Sequence, residues 1–267
     1  MGFSRPMTDP SQLLLEIANC RWAKSLRGGS TSPHACRTIV GSQVTARFQV
    51  PEPWVGEVHR APLLFISSNP SIDEREVFPT HDASWTPDRI VDFFQNRFAP
   101  NNEWVKEGKT LQQDGSRGKS VRFWASARAR AGELLEKRES SIQPGIDFAL
   151  TEVVHCKSLS ERGVQEAQKF CSALYLRKIL DISVAKVLVV YGVIAREEVC
   201  GCLHLWDEVI SERKLLGPVT IAEIPRMLIF LPHPSSWMRK TLKANLEGTE
   251  LSLLRKHLME PSKCGIS

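Results

Sequence analysis

The chain has 267 residues, 42% of them hydrophobic, enough for one substantial core and without need of a second domain. No apolar run approaches the roughly 18 residues of a membrane span, and the opening Met-Gly-Phe-Ser-Arg-Pro-Met lacks the apolar core of a signal peptide, so a cytoplasmic protein with no membrane partner is expected. A net charge of +5 suits a polyanionic partner without specifying one, and seven cysteines, an odd number, argue against a disulfide framework and for thiols or metal ligands.

In chain order, residues 11–19 have the periodicity of a short amphipathic helix, and Arg27-Gly28-Gly29-Ser30-Thr31-Ser32-Pro33 is a loop. Strands are predicted at about 62–67, 147–155, 186–191 and 227–231, and helices at about 121–138, 164–182, 193–202 and 236–258. Strands alternating with helices of this length imply βαβ units. The expected fold is α/β: a single three-layer domain whose central, mostly parallel four-stranded sheet is flanked by helices. The stretch 73–119, rich in Trp, Asn, Gln, Gly and charge, breaks that rhythm and reads as an insertion beside the first strand's tip. The expected organisation is a helical and loop segment at 1–60 packed on the core, an α/β domain at 61–260 carrying the insertion, and a flexible tail at 261–267.

Two of the strands end alike. Leu63-Leu64-Phe65-Ile66-Ser67-Ser68-Asn69-Pro70-Ser71 and Leu228-Ile229-Phe230-Leu231-Pro232-His233-Pro234-Ser235-Ser236-Trp237 are apolar runs that stop at a tight polar turn. A central parallel strand, covered on both faces, requires such a run, and ligands of open α/β sheets bind just beyond its carboxyl end. Asn69-Pro70-Ser71, Thr151-Glu152-Val153-Val154-His155-Cys156-Lys157, Lys186-Val187-Leu188-Val189-Val190-Tyr191-Gly192 followed by Ala195, and His233-Pro234-Ser235 come in this order. Together they resemble the ordered landmarks of the uracil-DNA glycosylase superfamily over roughly residues 60–250, with the N-terminal segment and the insertion poorly matched.

The resemblance implies a uracil-DNA glycosylase-like fold and a monomeric enzyme that flips a nucleotide out of single- or double-stranded DNA and hydrolyses its N-glycosidic bond, leaving an abasic site. It places Asn69 where the attacking water is held, although an Asn is equally able to close an Asx turn before Pro70. It makes His233 a hydrogen-bond donor to the departing base, stabilising charge that develops only in the transition state. Phe78 and then Trp85 are candidates to stack on the base beside Ser68, or are simply core. Trp237 and Met238 would wedge into the gap the base leaves. Ser71, Ser235, Ser236, Arg239 and Lys240 would contact phosphates, though a solvated helix face explains the cations almost as well.

Glu152 departs from the pattern, because uracil-specific members carry Asn at this position to read the base edge. An ionised carboxylate accepts hydrogen bonds and cannot donate, so it disfavours the O4 acceptor of uracil and suits the N4 amine of cytosine. A protonated Glu152 could also donate to N3; the alternative is a plain pairing with a nearby Arg or Lys. A pocket that removed ordinary cytosine would destroy its own genome, so a C5 substituent such as hydroxymethyl or glucosyl-hydroxymethyl is expected, as occurs in phage DNA. The insertion at 73–119 would then wall that pocket, or is a surface excursion with its own small core.

The iron–sulfur branch of the superfamily implies cluster ligands at Cys156 and Cys171, with Cys20 and Cys36 as the remaining pair. These four would hold a [4Fe–4S] cluster if the glycine-rich loop folds back; otherwise they are buried free thiols. The leading expectation is a monofunctional glycosylase for a modified cytosine, in host defence. A conventional uracil or deaminated-base repair glycosylase is the rival, and an inert nucleic-acid-binding protein on the same fold is the third.

Overall fold

The computed structural model describes residues 9–43, 47–205 and 213–260. Three short helices open the chain, α1 (Pro10–Ala18), α2 (Arg21–Arg27) and α3 (Arg37–Gly41). Asp9 starts α1 by accepting a hydrogen bond from the Ser11 N–H at 3.0 Å, and Pro10 supplies a pre-set φ in the first turn. The strands β1 (Trp54–Val55) and β2 (Leu63–Ser67) follow, and then the insertion with α4 (Pro87–Asn96) and β3 (Val105–Lys106), β4 (Lys109–Leu111) and β5 (Arg117–Ser120). The rest of the chain alternates as α5 (Arg122–Leu135), β6 (Phe148–Glu152), α6 (Val164–Ile182), β7 (Val187–Tyr191), α7 (Gly192–Cys202), β8 (Leu215–Ile221), β9 (Ile224–Leu231), α8 (Leu242–Asn245) and α9 (Gly248–Met259).

The main sheet has six strands in the order β1-β6-β2-β7-β9-β8. Its centre, β6-β2-β7-β9, is parallel, and every residue of β2, β6 and β7 is buried, as the continuous apolar runs require. The α/β class and the four parallel strands agree with the expectation, but the sheet is wider than four. Antiparallel β1 and β8 extend its two edges. Two residues are too few to give β1 any periodicity. In β8 the Gly217-Pro218 pair sits where the ladder shifts register, and the strand is largely solvent-facing, so its sequence reads as a loop. The C-terminal helix expected at 236–258 is two helices, because Leu246 is extended, and α9 restarts with a capping box of Glu247 and Glu250.

The insertion has its own architecture. Thr86 accepts from the Arg89 N–H to cap α4, and β3-β4-β5 form a three-stranded antiparallel sheet. Phe78, Phe93 and Phe94 are buried together with edge-to-face contacts at 5.2–5.6 Å between ring centroids. α6 packs on α1, α3 and α7, while α5 packs on α9. Among the described residues no helix is long and apolar enough to cross a membrane. The tail expected at 261–267 lies outside them.

Candidate active site at the strand tips

β2 and β6 pair in register with Ser67 opposite Glu152, and the pairing continues past both strands. The Val153 and Val154 N–H groups donate to the Ser67 and Ser68 carbonyls at 3.0 Å each, Ser158 N–H to the Pro70 carbonyl at 3.1 Å, and Ile72 N–H to the Ser158 carbonyl at 3.2 Å. The Asn69 turn is therefore laced along its length to residues 153–158. Asn69 Nδ2 donates to the Pro70 carbonyl at 3.0 Å and to Ser158 Oγ at 2.9 Å. Both amide hydrogens are thus engaged, and Oδ1 is the polar atom left to orient a water.

β9 delivers His233 two residues past its end. The imidazole packs over Gly192, where an added Cβ would stand 3.3 Å from His233 Cβ and where φ is +82°, so the turn into α7 needs glycine on both counts. The Ser235 N–H donates to His233 Nδ1 at 3.3 Å, which leaves the ring proton on Nε2. Burial pushes the His233 pKa below 6.5, with Glu161 pulling it upward and Lys240 adding to the depression. At neutral pH the side chain is a neutral N–H donor at the tip of the sheet.

Glu152 ends β6 and is 4% exposed, with Oε2 buried and without a hydrogen-bond partner. It belongs to a buried group of charges that the sequence did not reveal. Arg97 pairs with Glu52 at 3.4 Å and with Glu76, and Lys157 pairs with Glu76 at 3.2 Å and with Glu52 at 3.8 Å. Three carboxyls thus share two cations. Glu52 and Glu76 take both, leaving Glu152 outside the ion pairs, and the expected alternative of a direct Arg or Lys pairing is not what the side chain makes. Burial raises the Glu152 pKa well above 4.5, the Glu52 charge raises it further, and Lys157 and Arg97 only partly oppose this. A raised carboxyl pKa means that the folded state loses stability as pH rises through it. Glu152→Gln is therefore expected to melt a few degrees higher at pH 8, a gain of about 1 kcal/mol or more that fades as pH falls toward 4.5. Thermal melts of both proteins across that range would check it, and equal melting points throughout would mean that Glu152 is ionised and satisfied.

Phe78 and Trp85 both line a cavity of about 450 Å³ formed by the insertion against Arg47 and Gln49, together with Glu76, Asp82 and Gln113. Phe78 is 3% exposed, with the Lys157 ammonium 3.6 Å from its ring centre, and Trp85 is half-buried with the Arg89 guanidinium over its face at 4.3 Å. Asn69, Glu152 and His233 are not among the residues that line this cavity, while Phe78 lies against Lys157 and Arg97, the two cations whose charges act on Glu152. Glu76 connects the two regions, since it lines the cavity and holds Arg97 and Lys157.

Around His233 the chain turns sharply, with Ser236 N–H donating to the His233 carbonyl at 2.8 Å and Met238 N–H to Ser236 Oγ at 3.1 Å. Trp237 stands at the apex, 96% exposed, and Met238 beside it is 46% exposed. Ser71, Ser235 and Arg239 are exposed, whereas Lys240 is half-buried and its ammonium donates to the Ser236 carbonyl. Ser68 is buried, and its hydroxyl donates to Glu161 Oε1 at 2.7 Å. No protein-family model matches this sequence, and a search of curated proteins returns no significant match.

The four cysteines singled out in the sequence come together. Cys20 precedes α2, Cys36 precedes α3, Cys156 follows β6 and Cys171 lies on α6, and all four line one small enclosed space with Ala23, Phe170, Leu174, Tyr175 and His155. Each is at most 8% exposed. Burial raises the Cys36 thiol to about 12, with Cys20 adding to it, and burial with the other three cysteines raises Cys156 well above its usual value. Four largely buried thiols gathered on one small space are the number and kind of ligand that a [4Fe–4S] cluster takes. Among the described residues no three such side chains are placed to hold a single metal ion. A cluster spreads its ligands over several iron atoms and asks for wider spacing. Cys200 and Cys202 lie apart on α7, and Cys264 is outside the described residues.

Proposed function

We propose that this protein is a DNA glycosylase of uracil-DNA glycosylase-like fold that hydrolyses the N-glycosidic bond of a C5-modified cytosine. The observation that carries this reading is Glu152, a buried carboxyl with an unpartnered oxygen at the carboxyl end of β6, on the same end of the parallel sheet as His233, a neutral N–H donor just past β9. A carboxyl held toward its protonated form donates to N3 of cytosine through its hydroxyl and accepts from the N4 amine through its other oxygen. Uracil offers the opposite pattern at both positions. His233 Nε2–H meets the negative charge gathering on the base oxygen as the bond breaks, and a donor fixed in place by its own turn has little reorganisation left to do. Asn69 Oδ1 orients water on the sugar side. The polar and aromatic cavity formed by the insertion offers room for a substituent, and Trp237 supplies an apolar wedge for the vacated stack.

Cys20, Cys36, Cys156 and Cys171 would hold the [4Fe–4S] cluster. When bound it serves as a structural tie between the two N-terminal helices, α6 and the segment after β6. Protein purified without oxygen is expected to absorb at about 400 nm and to lose both that band and its iron in Cys156→Ser. Iron analysis of Cys200→Ser, which leaves the four intact, should match the parent.

The deciding experiment is abasic-site formation on matched oligonucleotides carrying uracil, cytosine, hydroxymethylcytosine or its glucosylated form. Release confined to modified cytosine is the expected result. Release of uracil alone would replace this reading with a repair glycosylase, and DNA binding without release would make the protein a binder.

A further inference from the structure

Hydrolysis at the sugar needs a group that takes a proton from water, and Asn69 cannot be that group, because a carboxamide is no base at neutral pH. Glu152 is buried at the base-reading position. A second carboxylate stands beside the Asn69 turn. Glu161 accepts the Ser68 hydroxyl bond at 2.7 Å through Oε1, immediately beside Asn69, and its charge acts on His233 from the other side. Its Oε1 is thus fixed next to the residue that would orient water, its charge is felt at the residue that would face the leaving base, and Oε2 is left for a further partner.

The backbone around Glu161 is built to hold it there. Ser160 and Glu161 lie in the left-handed region at φ 52° and 58°, a conformation that costs non-glycine residues and persists only where the surroundings enforce it. On one side Ser158 is fixed to Asn69, Pro70 and Ile72. On the other, Gly163 presses on α3 so closely that a Cβ would stand 2.3 Å from the Ile39 nitrogen. Between the clamps Arg162 N–H donates to the Leu159 carbonyl at 3.2 Å and Val164 N–H to the Glu161 carbonyl at 3.1 Å. Strained non-glycine backbone held from both ends is the pattern in which position is kept at the expense of stability.

Resting on the proposed function, we infer that Glu161 is the carboxylate of the active site. It receives the proton of the attacking water while its charge faces the cationic sugar. The electron pair of the C1′–N bond leaves with the base, where His233 shares the charge. The water oxygen bonds to C1′, its proton passes to Glu161 Oε2, and solvent later takes that proton and supplies one to the released base. Water and a deoxynucleotide become an abasic site and a free base, with no other reactant. The charged groups acting on the neutral His233 at this corner are Glu161 and Lys240.

The test compares the parent with Glu161→Gln, Glu161→Gly and Ser68→Ala in single-turnover release, in DNA affinity and in thermal melts. Glu161→Gln is expected to lose about 100-fold in rate at unchanged affinity. Glu161→Gly, relieved of backbone strain, is expected to melt higher than the parent while equally slow, which a merely structural role would reverse. Ser68→Ala removes the hydrogen bond that fixes Oε1 and is expected to slow release by about tenfold at unchanged affinity. A rate for Glu161→Gln within threefold of the parent would overturn the inference. Duplex DNA carrying a cationic pyrrolidine in place of the target sugar gives a reading that does not depend on substrate choice. Parent protein is expected to bind it at least tenfold tighter than the neutral tetrahydrofuran analogue, and Glu161→Gln to lose that preference. A parent that releases no base yet shows this Glu161-dependent preference would sink the substrate proposal and keep Glu161, whereas a parent that releases base without the preference would sink Glu161 and keep the substrate proposal, and one with neither would sink both.

Discussion

Arg97→Met is expected to destabilise the protein by about 3–5 kcal/mol, read as a lower urea midpoint at an unchanged slope. The guanidinium is 1% exposed and serves Glu52 and Glu76 together, and its planar face also rests near the rings of Phe93 and Trp124 at 4.9 and 4.7 Å. Without it the two carboxylates keep only Lys157, and burial offers no water in exchange. Methionine fills similar volume, so the loss reports on charge rather than on a cavity. Since a domain is stable by about 5–15 kcal/mol, the variant should lie near its folding threshold. Adding Glu76→Gln removes one stranded carboxylate and should restore part of the loss. A midpoint for Arg97→Met within the range of ordinary surface substitutions would mean that the charges are satisfied by other means.

The second large effect is catalytic. His233→Ala is expected to slow base release by about 10²–10³-fold with DNA affinity little changed, because the donor acts on charge that exists only during bond breaking. Its tautomer is set by the Ser235 N–H, and its pKa lies below 6.5, so it does not depend on being protonated. The His233-dependent part of the rate should therefore stay level from about pH 7 to 9 rather than fall as an imidazolium would. His233→Gln keeps an N–H donor and should recover a portion of the rate. Equal losses in affinity and rate would assign His233 to DNA binding instead.

The central strands were legible because burial on both faces leaves no freedom in their composition: Leu63–Ile66 and Val187–Val190 are apolar at every position. The short helices α2 and α3 were not, since five to seven residues hold too little of the 3.6-residue period to be distinguished from a loop. Asn69 and His233 were visible in the polar turns that close apolar runs, and Glu152 only as a departure from the pattern that the resemblance implies. The partners that set the Glu152 environment were hidden, because Glu52, Glu76 and Arg97 are ordinary surface residue types until the fold encloses them. Glu161 gave no local signal at all. It sits in a loop of mixed polarity, and its place beside Ser68 depends on a contact across 93 residues of chain. The gathering of Cys20 and Cys36 with Cys156 and Cys171 was indicated only by resemblance, for spacing alone does not say which thiols meet.

The two edges of the main sheet bear on how the protein behaves when concentrated. An open edge offers unpaired amides and carbonyls to any extended chain that drifts alongside. Here one edge is the two-residue β1, too short to dock a foreign strand with more than a couple of bonds, and the other is β8, whose run is interrupted by Pro218 and a register shift. The apolar interior is thus flanked by poor templates, and among the described residues strand-to-strand stacking into fibres has no ready starting point on either edge of the main sheet.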